Sequence, residues 1–432
     1  MRYEQEMLEK IMYYDREGII STFPLYVYRT KGSVSRKALE AAVGYAIQCH
    51  PRFGCRLAED AKGPYLETNP EQPIIPELNP DEMFFYGDES NHYYPWIVGI
   101  HENAIIYTGF HGIADGIGAT IFMRTVLYYY FKEHGIECDP GKAVTLQDVT
   151  PEYLERDTEC TIRKNGTEDR PASYQPKPLR PSVFPEDLLE EPKNCAVHNI
   201  AINLSDVRKM SAEYEVSQFA VVITYVAQAI CDVLPGEESV VLLNIVTDMR
   251  RALNSITTHN CLMTVPVICS QHDLTGQSDR DVCKMFRSSL DQGYNRDEAL
   301  HSCFNSVMTE SKIGGSKEYL AGAAAQISQR FGLNLPTASV AYTHLTRTGF
   351  SDELLGLLDD AYINYAGLRN EKKQAINAIC AVTTDRVINL MLMDGTKNEL
   401  ILKALKKRLT DNRIAFNDRV MNKYKGVFFK RP

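Results

Sequence analysis

The segment His111–Gly116, with the sequence His-Gly-Ile-Ala-Asp-Gly, constrains the fold more than any other part of the chain. It follows an apolar run over 104–110 that has the composition of a buried strand, and it precedes residues 119–131, which favour a helix. The histidine therefore lies at the end of a predicted strand, on a tight glycine-bearing turn, with a carboxylate four residues later. This arrangement presents one imidazole to a cavity on a rigid backbone.

The same alternation of strand-like and helix-like segments continues through both halves of the chain. Ser35 is a predicted N-cap and Pro51 follows the end of the helix that it starts. Strands are predicted over 19–28, 94–99, 104–110, 196–204, 239–246, 264–270, 338–342, 360–364, 375–382 and 386–393, and helices over 35–49, 119–131, 217–234, 280–292 and 399–409. This mixture in both halves predicts an α/β or α+β fold with two similar lobes.

Residues 152–194 differ from the sequence on either side. They contain many charges, little periodicity and recurrent prolines, which predicts a long exposed connection. Loops of this length are uncommon inside one compact domain. We therefore predict an N-terminal lobe over 1–170, a linker over 171–195 and a C-terminal lobe over 196–432.

Charge and hydropathy exclude several classes of protein. The formal net charge of the 432 residues is −9, and no basic stripe suited to nucleic acid is present. No run approaches the roughly 18 apolar residues that a membrane-spanning helix needs. The polar, acidic N-terminus lacks the pattern of a signal peptide, so we expect a cytoplasmic protein.

The eleven cysteines form no Cys-x-x-Cys pair and do not cluster with histidine in the sequence. Most lie within apolar segments, which favours buried, reduced thiols over a disulfide framework or a zinc site. We therefore predict no metal site.

His111 is the candidate general base, because an imidazole titrates near neutral pH without any perturbation. Asp115 could orient it as in a catalytic triad. A carboxylate four residues on in a tight turn often points away from the histidine, however. The preferred role for Asp115 is structural, in an ion pair with an arginine from elsewhere in the chain, because a buried carboxylate needs a partner.

The segment Phe110–Gly116 resembles the HHxxxDG motif of the chloramphenicol-acetyltransferase-like superfamily. That group includes plant BAHD acyltransferases, alcohol acetyltransferases, polyketide-associated acyltransferases and condensation domains of peptide synthetases. Three weaker resemblances have the order and spacing of that group: the helix that ends in His50-Pro51, the strand that leads into Asp248-Met249-Arg250, and the late strand over 338–344. The alcohol-acetyltransferase-like branch is the most similar.

The resemblance implies an α/β fold of two such lobes with a tunnel between them. His111 would take a proton from an alcohol or amine that attacks an acyl thioester, carried by coenzyme A or by an acyl carrier protein. Asp115 would hold the turn together with Gly116, and Arg250 is preferred as its partner over Arg251 and Arg56. No resident cofactor is implied, and one chain supplies both walls of the tunnel, so a monomer is sufficient.

The chain departs from the family pattern at three places. Phe110 replaces the first histidine of the motif, and Tyr342-Thr343-His344 stand where the family often has Ser or Asn and Gly. We predict that these four residues line the substrate site, with Tyr342 or Thr343 as an oxyanion donor. No DFGWG-like segment occurs, which argues against a plant-type enzyme. The alternatives are a non-catalytic member that binds a carrier protein or small ligand, and a condensation domain.

Overall fold

The computed structural model describes residues 2–15, 24–61, 63–236, 238–313, 316–330, 335–345, 349–364, 373–376, 379–421 and 426–430. Within these ranges the chain forms two principal sheets, each with its own apolar core and its own covering helices. The α/β class predicted from the sequence is confirmed.

The first lobe is built on a four-stranded antiparallel sheet. Its strands lie in the order Leu358–Asn364, Leu25–Thr30, Ala104–Gly109 and Trp96–His101. The helices Arg36–Cys49 and Gly116–Glu133 pack against each other beside it. Ser35 accepts a hydrogen bond from the Ala38 amide, as its predicted role as N-cap requires. The ring of Phe53, in the 3-10 turn Pro51–Gly54 that follows the first of these helices, stacks on Phe122 of the second at a centroid distance of 4.1 Å.

The second lobe is built on a seven-stranded mixed sheet. Its strands lie in the order Leu262–Ser270, Val240–Asp248, Ser339–Leu345, Ile379–Thr383, Val387–Met393, Val197–Asn203 and Phe416–Val420. Its helices include Leu204–Tyr214, Gln218–Val233, Asp279–Gly293 and Leu400–Asp411. The strands Val240–Asp248 and Ser339–Leu345 run parallel, so their carboxyl ends reach the same edge of the sheet.

The remaining elements are short or lie at the periphery. A three-stranded sheet joins Arg2–Glu4, Gly63–Thr68 and Cys55–Asp60, and a two-stranded sheet joins Gly426–Phe429 to Met83–Tyr86. The other α-helices are Met7–Tyr13, Pro151–Asp157, Thr161–Asn165, Arg250–Leu253, Gln271–Thr275, Arg296–Ile313, Lys317–Arg330 and Asp352–Gly356. The two long helices over 296–313 and 317–330 were not predicted from the sequence.

The lobes are not the contiguous segments that were predicted. Strand Leu358–Asn364 pairs with Leu25–Thr30 in the first sheet, and Gly426–Phe429 pairs with Met83–Tyr86, so the predicted C-terminal lobe over 196–432 gives two segments to the first lobe. Periodicity identifies a strand but does not show which sheet accepts it. The predicted linker over 171–195 is also more than an exposed connection, because Phe184 and Leu189 are buried in the core of the second lobe.

Among the described residues, no single helix combines the length and apolarity needed to cross a membrane. The helices Leu204–Tyr214 and Gln218–Val233 reach that threshold only when taken together, and the bend between them is 97°. Most of the second of these helices is buried in the core of the second lobe.

Candidate active site

The carboxylate of Asp115 fixes the start of the helix that follows the motif. Asp115 is the N-cap of Gly116–Glu133, and its Oδ1 accepts a hydrogen bond of 2.7 Å from the Gly118 amide. Its Oδ2 accepts a hydrogen bond of 2.8 Å from the amide of Cys261, a second-lobe residue. The carboxylate therefore joins the motif turn to the second lobe rather than pointing at His111.

Arg250 is the partner of Asp115. Its Nη1 and Nη2 each donate to a different carboxylate oxygen of Asp115 at 2.9 Å, a two-point geometry that fixes both groups. Asp115 is 3% and Arg250 is 5% exposed, so the pair is removed from water. The two other arginines considered from the sequence lie elsewhere: Arg56 pairs with Glu67, and Arg251 is exposed.

The guanidinium of Arg250 uses all five of its N–H groups. Besides the two bonds to Asp115, Nη1 donates to Asp248 at 2.7 Å, Nη2 to the His259 carbonyl at 2.6 Å and Nε to the Thr257 carbonyl at 2.7 Å. Although burial opposes the charge, the two aspartates raise the pKa of Arg250 above its usual value. The arginine thus holds the second-lobe loop over 254–261 against the motif turn.

Asn260 in that loop sets the protonation of His111. The Asn260 amide donates from Nδ2 to the carbonyl oxygen of His111 at 2.7 Å, and its Oδ1 lies 3.0 Å from His111 Nδ1. Because Oδ1 can only accept, Nδ1 carries the proton and Nε2 is the basic nitrogen of the neutral ring. Burial lowers the pKa of His111, although Asp115 and Asn260 oppose that shift, so the imidazole is neutral near pH 7. The side chain is partly exposed.

The loop and the motif helix approach each other closely. A Cβ atom at Gly118 would lie 2.4 Å from the carbonyl oxygen of Thr258, a distance that excludes any side chain. The carbonyl oxygen of Asp157 accepts two hydrogen bonds of 3.0 Å, one from Thr257 Oγ1 and one from the Thr258 amide. The end of the helix Pro151–Asp157 therefore fixes the loop on a second side.

A buried ion network lies behind the motif turn. Arg52, which is fully buried, donates to the carbonyl oxygens of Gly112 and Ile113 and to Glu9 Oε1, the last at 2.7 Å. His259 Nδ1 lies 3.0 Å from the same Glu9 oxygen. Although burial opposes ionisation, Arg52 and His259 lower the pKa of Glu9 to about 2. The first helix therefore connects the turn that carries His111 to the loop that carries Asn260.

The structure gives Phe110 and Tyr342 packing positions in place of the predicted substrate contacts. Both rings are fully buried. Phe110 stacks on Phe429 at a centroid distance of 4.7 Å, and Tyr342 meets Phe219 edge-on at 5.3 Å. An aromatic ring at a strand end fills a core as readily as it lines a cavity, and the sequence does not distinguish the two.

Thr343 and His344 are partly exposed near the end of the late strand. His344 Nε2 lies 2.8 Å from Thr383 Oγ1, and burial lowers its pKa to about 3, so the ring is a neutral, hydrogen-bonded wall residue. A Cβ at Gly116 would lie 3.7 Å from a methyl group of Leu345. The late strand therefore ends beside the motif, and substrate contact by Thr343 and His344 stays a prediction.

Four residues around the site were not predicted from the sequence: Asn260, His259, Glu9 and Arg52. They lie at widely separated positions and share no spacing. The available signal for Asn260 was the polar run Thr-Thr-His-Asn just before a strand, which also fits an ordinary turn.

No family model matches the chain, and no curated protein matches its sequence. Solved structures do resemble it. The TRI101 structure from F. graminearum in complex with ethyl coenzyme A has 10% identity and a TM-score of 0.61, and the similarity covers 96% of this chain and 99% of that chain. Polyketide synthase associated protein 5 from Mycobacterium tuberculosis has 13% identity and a TM-score of 0.56, with coverage of 94% and 97%.

A third similar structure is the first condensation domain of the calcium-dependent antibiotic synthetase, in complex with a substrate analogue. It has 13% identity and a TM-score of 0.55, and the similarity covers 95% of this chain and 96% of that chain. In each case nearly the whole of both chains is matched, so the likeness includes both lobes. The chain therefore has the two-lobed α/β fold of chloramphenicol-acetyltransferase-like acyltransferases and condensation domains.

Proposed function

We propose that this protein transfers an acyl group from a thioester to an alcohol or amine, with His111 as the general base. The observation that carries the proposal is the Asn260 amide, which places the proton of His111 on Nδ1 and makes Nε2 the base. A neutral imidazole held in one orientation at the junction of two lobes is suited to removing a proton from a bound acceptor.

The reaction needs one imidazole and no covalent enzyme intermediate. Nε2 of His111 takes the proton as the acceptor oxygen or nitrogen attacks the thioester carbonyl. The new C–O or C–N bond forms, the C–S bond breaks, and Nε2 returns the proton to the departing thiolate sulfur. Holding both substrates at one site supplies much of the rate enhancement.

Asp115 acts as a positioning residue in this scheme. Its carboxylate is fully used by Arg250 and by the amides of Gly118 and Cys261, so it stabilises the turn and does not exchange protons with His111. Gly116 and Gly118 allow the helix to begin close to its neighbours.

The donor is proposed to be an acyl-coenzyme A, with an acyl carrier protein as the alternative. Two of the similar structures support one donor each: TRI101 contains ethyl coenzyme A, and the third match is a condensation domain. The acceptor is a small molecule. A single chain carries every residue assigned a role here, which is consistent with an active monomer.

A second candidate function is binding without catalysis. It is favoured by the burial of Phe110 and Tyr342, since both stand at positions where the family often has polar residues. In that case the fold would bind a carrier protein or small ligand, and donor thioesters would bind without being consumed.

The test is release of free thiol from a panel of acyl-coenzyme A and acyl-carrier donors, each with alcohol and amine acceptors. The proposal expects thiol release that requires the acceptor and is matched by ester or amide formation. Donor binding without acceptor-dependent thiol release across the panel would favour the binding function.

A further inference from the structure

Three potential metal ligands meet beside the ion network, outside the residues used for catalysis. They are a carboxylate oxygen of Glu6, Sγ of Cys160 and a ring nitrogen of His259, and these atoms all lie within 4.8 Å of one another. Glu6 precedes the first helix, Cys160 precedes the helix Thr161–Asn165, and His259 lies in the second-lobe loop. The cluster therefore spans both lobes.

The carboxyl of Glu6 is buried in a tight polar cluster. The residue is 2% exposed, its side chain faces the Glu9 backbone in a capping box, and it interacts with the Cys160 thiol. Burial and the nearby Glu9 carboxylate raise the pKa of Glu6 to about 8. A buried carboxylate with incomplete hydrogen bonding is costly, and a bound cation is one way to satisfy it.

His259 shows a second unsatisfied group. Its Nδ1 lies 3.0 Å from Glu9 Oε1, so the Nδ1 proton is donated to that carboxylate. In the neutral ring the lone pair of Nε2 then faces the carbonyl oxygen of Thr158 at 3.2 Å, an acceptor facing an acceptor. A carboxylate that holds one nitrogen of a histidine while the other binds a metal ion is the usual arrangement around metal-ligating histidines.

We propose that Glu6, Cys160 and His259 bind one divalent cation of the zinc type, with His259 contributing Nε2. Thiolate, imidazole and carboxylate are the ligands that zinc takes in proteins, at about 2.0 to 2.3 Å. Ligand atoms in such a site are roughly 3.5 Å apart, so the three side chains move closer together on binding. A water molecule occupies the fourth position on the side where Cys160 is partly exposed.

The charges balance when the ion is bound. Glu6 and the Cys160 thiolate supply two negative charges for one divalent ion. Arg52 is already paired with Glu9, and Arg163, whose Nη1 lies 3.9 Å from Cys160 Sγ, is paired with Glu310. In the absence of metal, burial raises the pKa of Cys160 to about 12 and that of Glu6 to about 8, so binding near pH 7 releases one proton from each group.

This proposal replaces the sequence-based prediction of no metal site and does not depend on acyl transfer. The ion would join the first helix to the loop that carries Asn260, and its role is structural. Positions 6, 160 and 259 form no ligand spacing that a sequence pattern reveals.

The test is direct zinc binding by the full-length protein, measured by competition with a chromophoric chelator. We expect one zinc per chain, a higher melting temperature with zinc than with EDTA, and a thiolate-to-metal absorption band when cobalt replaces zinc. Cys160→Ser should remove the band and the stabilisation, whereas Cys138→Ser, at the other partly exposed cysteine, should retain both.

Glu9→Gln supplies a second variant, because it removes the charge that orients His259 and leaves the ligands in place; it also removes the counter-ion of Arg52, so zinc affinity is compared under conditions where circular dichroism shows the variant folded. We expect zinc affinity about 10- to 100-fold weaker than in the wild type. The proposal is overturned if the wild-type protein binds no zinc, or if Cys160→Ser binds zinc as well as Cys138→Ser does.

Discussion

Removing the Asp115 carboxylate is expected to destabilise the first lobe severely. Asp115→Ala leaves the charge of Arg250, only 5% exposed, without its main counter-ion. Breaking a buried ion pair by deleting one partner costs about 3 to 5 kcal/mol. Loss of the helix cap at the Gly118 amide adds about 1 kcal/mol. We therefore expect unfolding to become easier by roughly 4 to 6 kcal/mol, with a parallel loss of acyl transfer.

The assay uses the fluorescence of Trp96, the single tryptophan of the chain, which is 1% exposed in the first lobe. Urea denaturation followed by this signal reports the lobe that contains Asp115. Ser35→Ala removes the cap of the neighbouring helix without touching an ion pair, and it should cost only about 1 kcal/mol.

The double variant Asp115→Ala/Arg250→Met removes the orphaned charge as well. Its destabilisation should be smaller than the sum of the two single effects by at least about 2 kcal/mol, because the paired groups act as one unit. Additive single effects, or an Asp115→Ala protein that loses activity at an unchanged urea midpoint, would refute the structural role of Asp115.

Three further predictions concern the same site. Because burial lowers the pKa of His111 and only the neutral ring is a base, the rate should be flat near pH 7 and fall to half its maximum below pH 6.5 in a pH–rate profile. Asn260→Asp should move that midpoint to higher pH, because a carboxylate favours the protonated ring. Asn260→Ala should lower kcat about tenfold and cost about 1 to 3 kcal/mol of stability, because it leaves buried partners unpaired; an unchanged profile and rate would contradict the role given to Asn260. Gly118→Ala should destabilise the protein by about 1 to 3 kcal/mol, because the added methyl group clashes with the Thr258 carbonyl. Gly322→Ala, at an exposed helical position with open space, should instead stabilise it by about 0.5 to 1 kcal/mol; equal effects of the two variants in urea denaturation would contradict the close approach.

Local sequence signals predicted the strands of the two principal sheets, except Phe416–Val420, but missed most of the other helices and strands. Hydrophobic periodicity and helix caps depend only on residues close together in the sequence. They therefore predicted the helices over 36–49 and 218–233 and the strand–turn–helix around the motif. The crossing of strand Leu358–Asn364 into the first sheet was not found, because strand pairing is decided by contacts between distant segments.

The same distinction applies to the site. His111, Asp115 and Arg250 carried motif-like spacing or resemblance, and the structure brings all three to one junction. Asn260 and the pair Glu9–Arg52 became visible only in three dimensions, because a buried polar group is recognised by its partners and not by its neighbours in sequence.

The central claim is that His111 is the base for acyl transfer. The most direct test compares His111→Ala with His272→Ala in one assay of acceptor-dependent thiol release. His272 is an exposed histidine of the second lobe. We predict that His111→Ala forms no product while its Trp96 unfolding curve stays close to wild type, and that His272→Ala retains the wild-type rate. Product formation by His111→Ala at the wild-type rate would contradict the account.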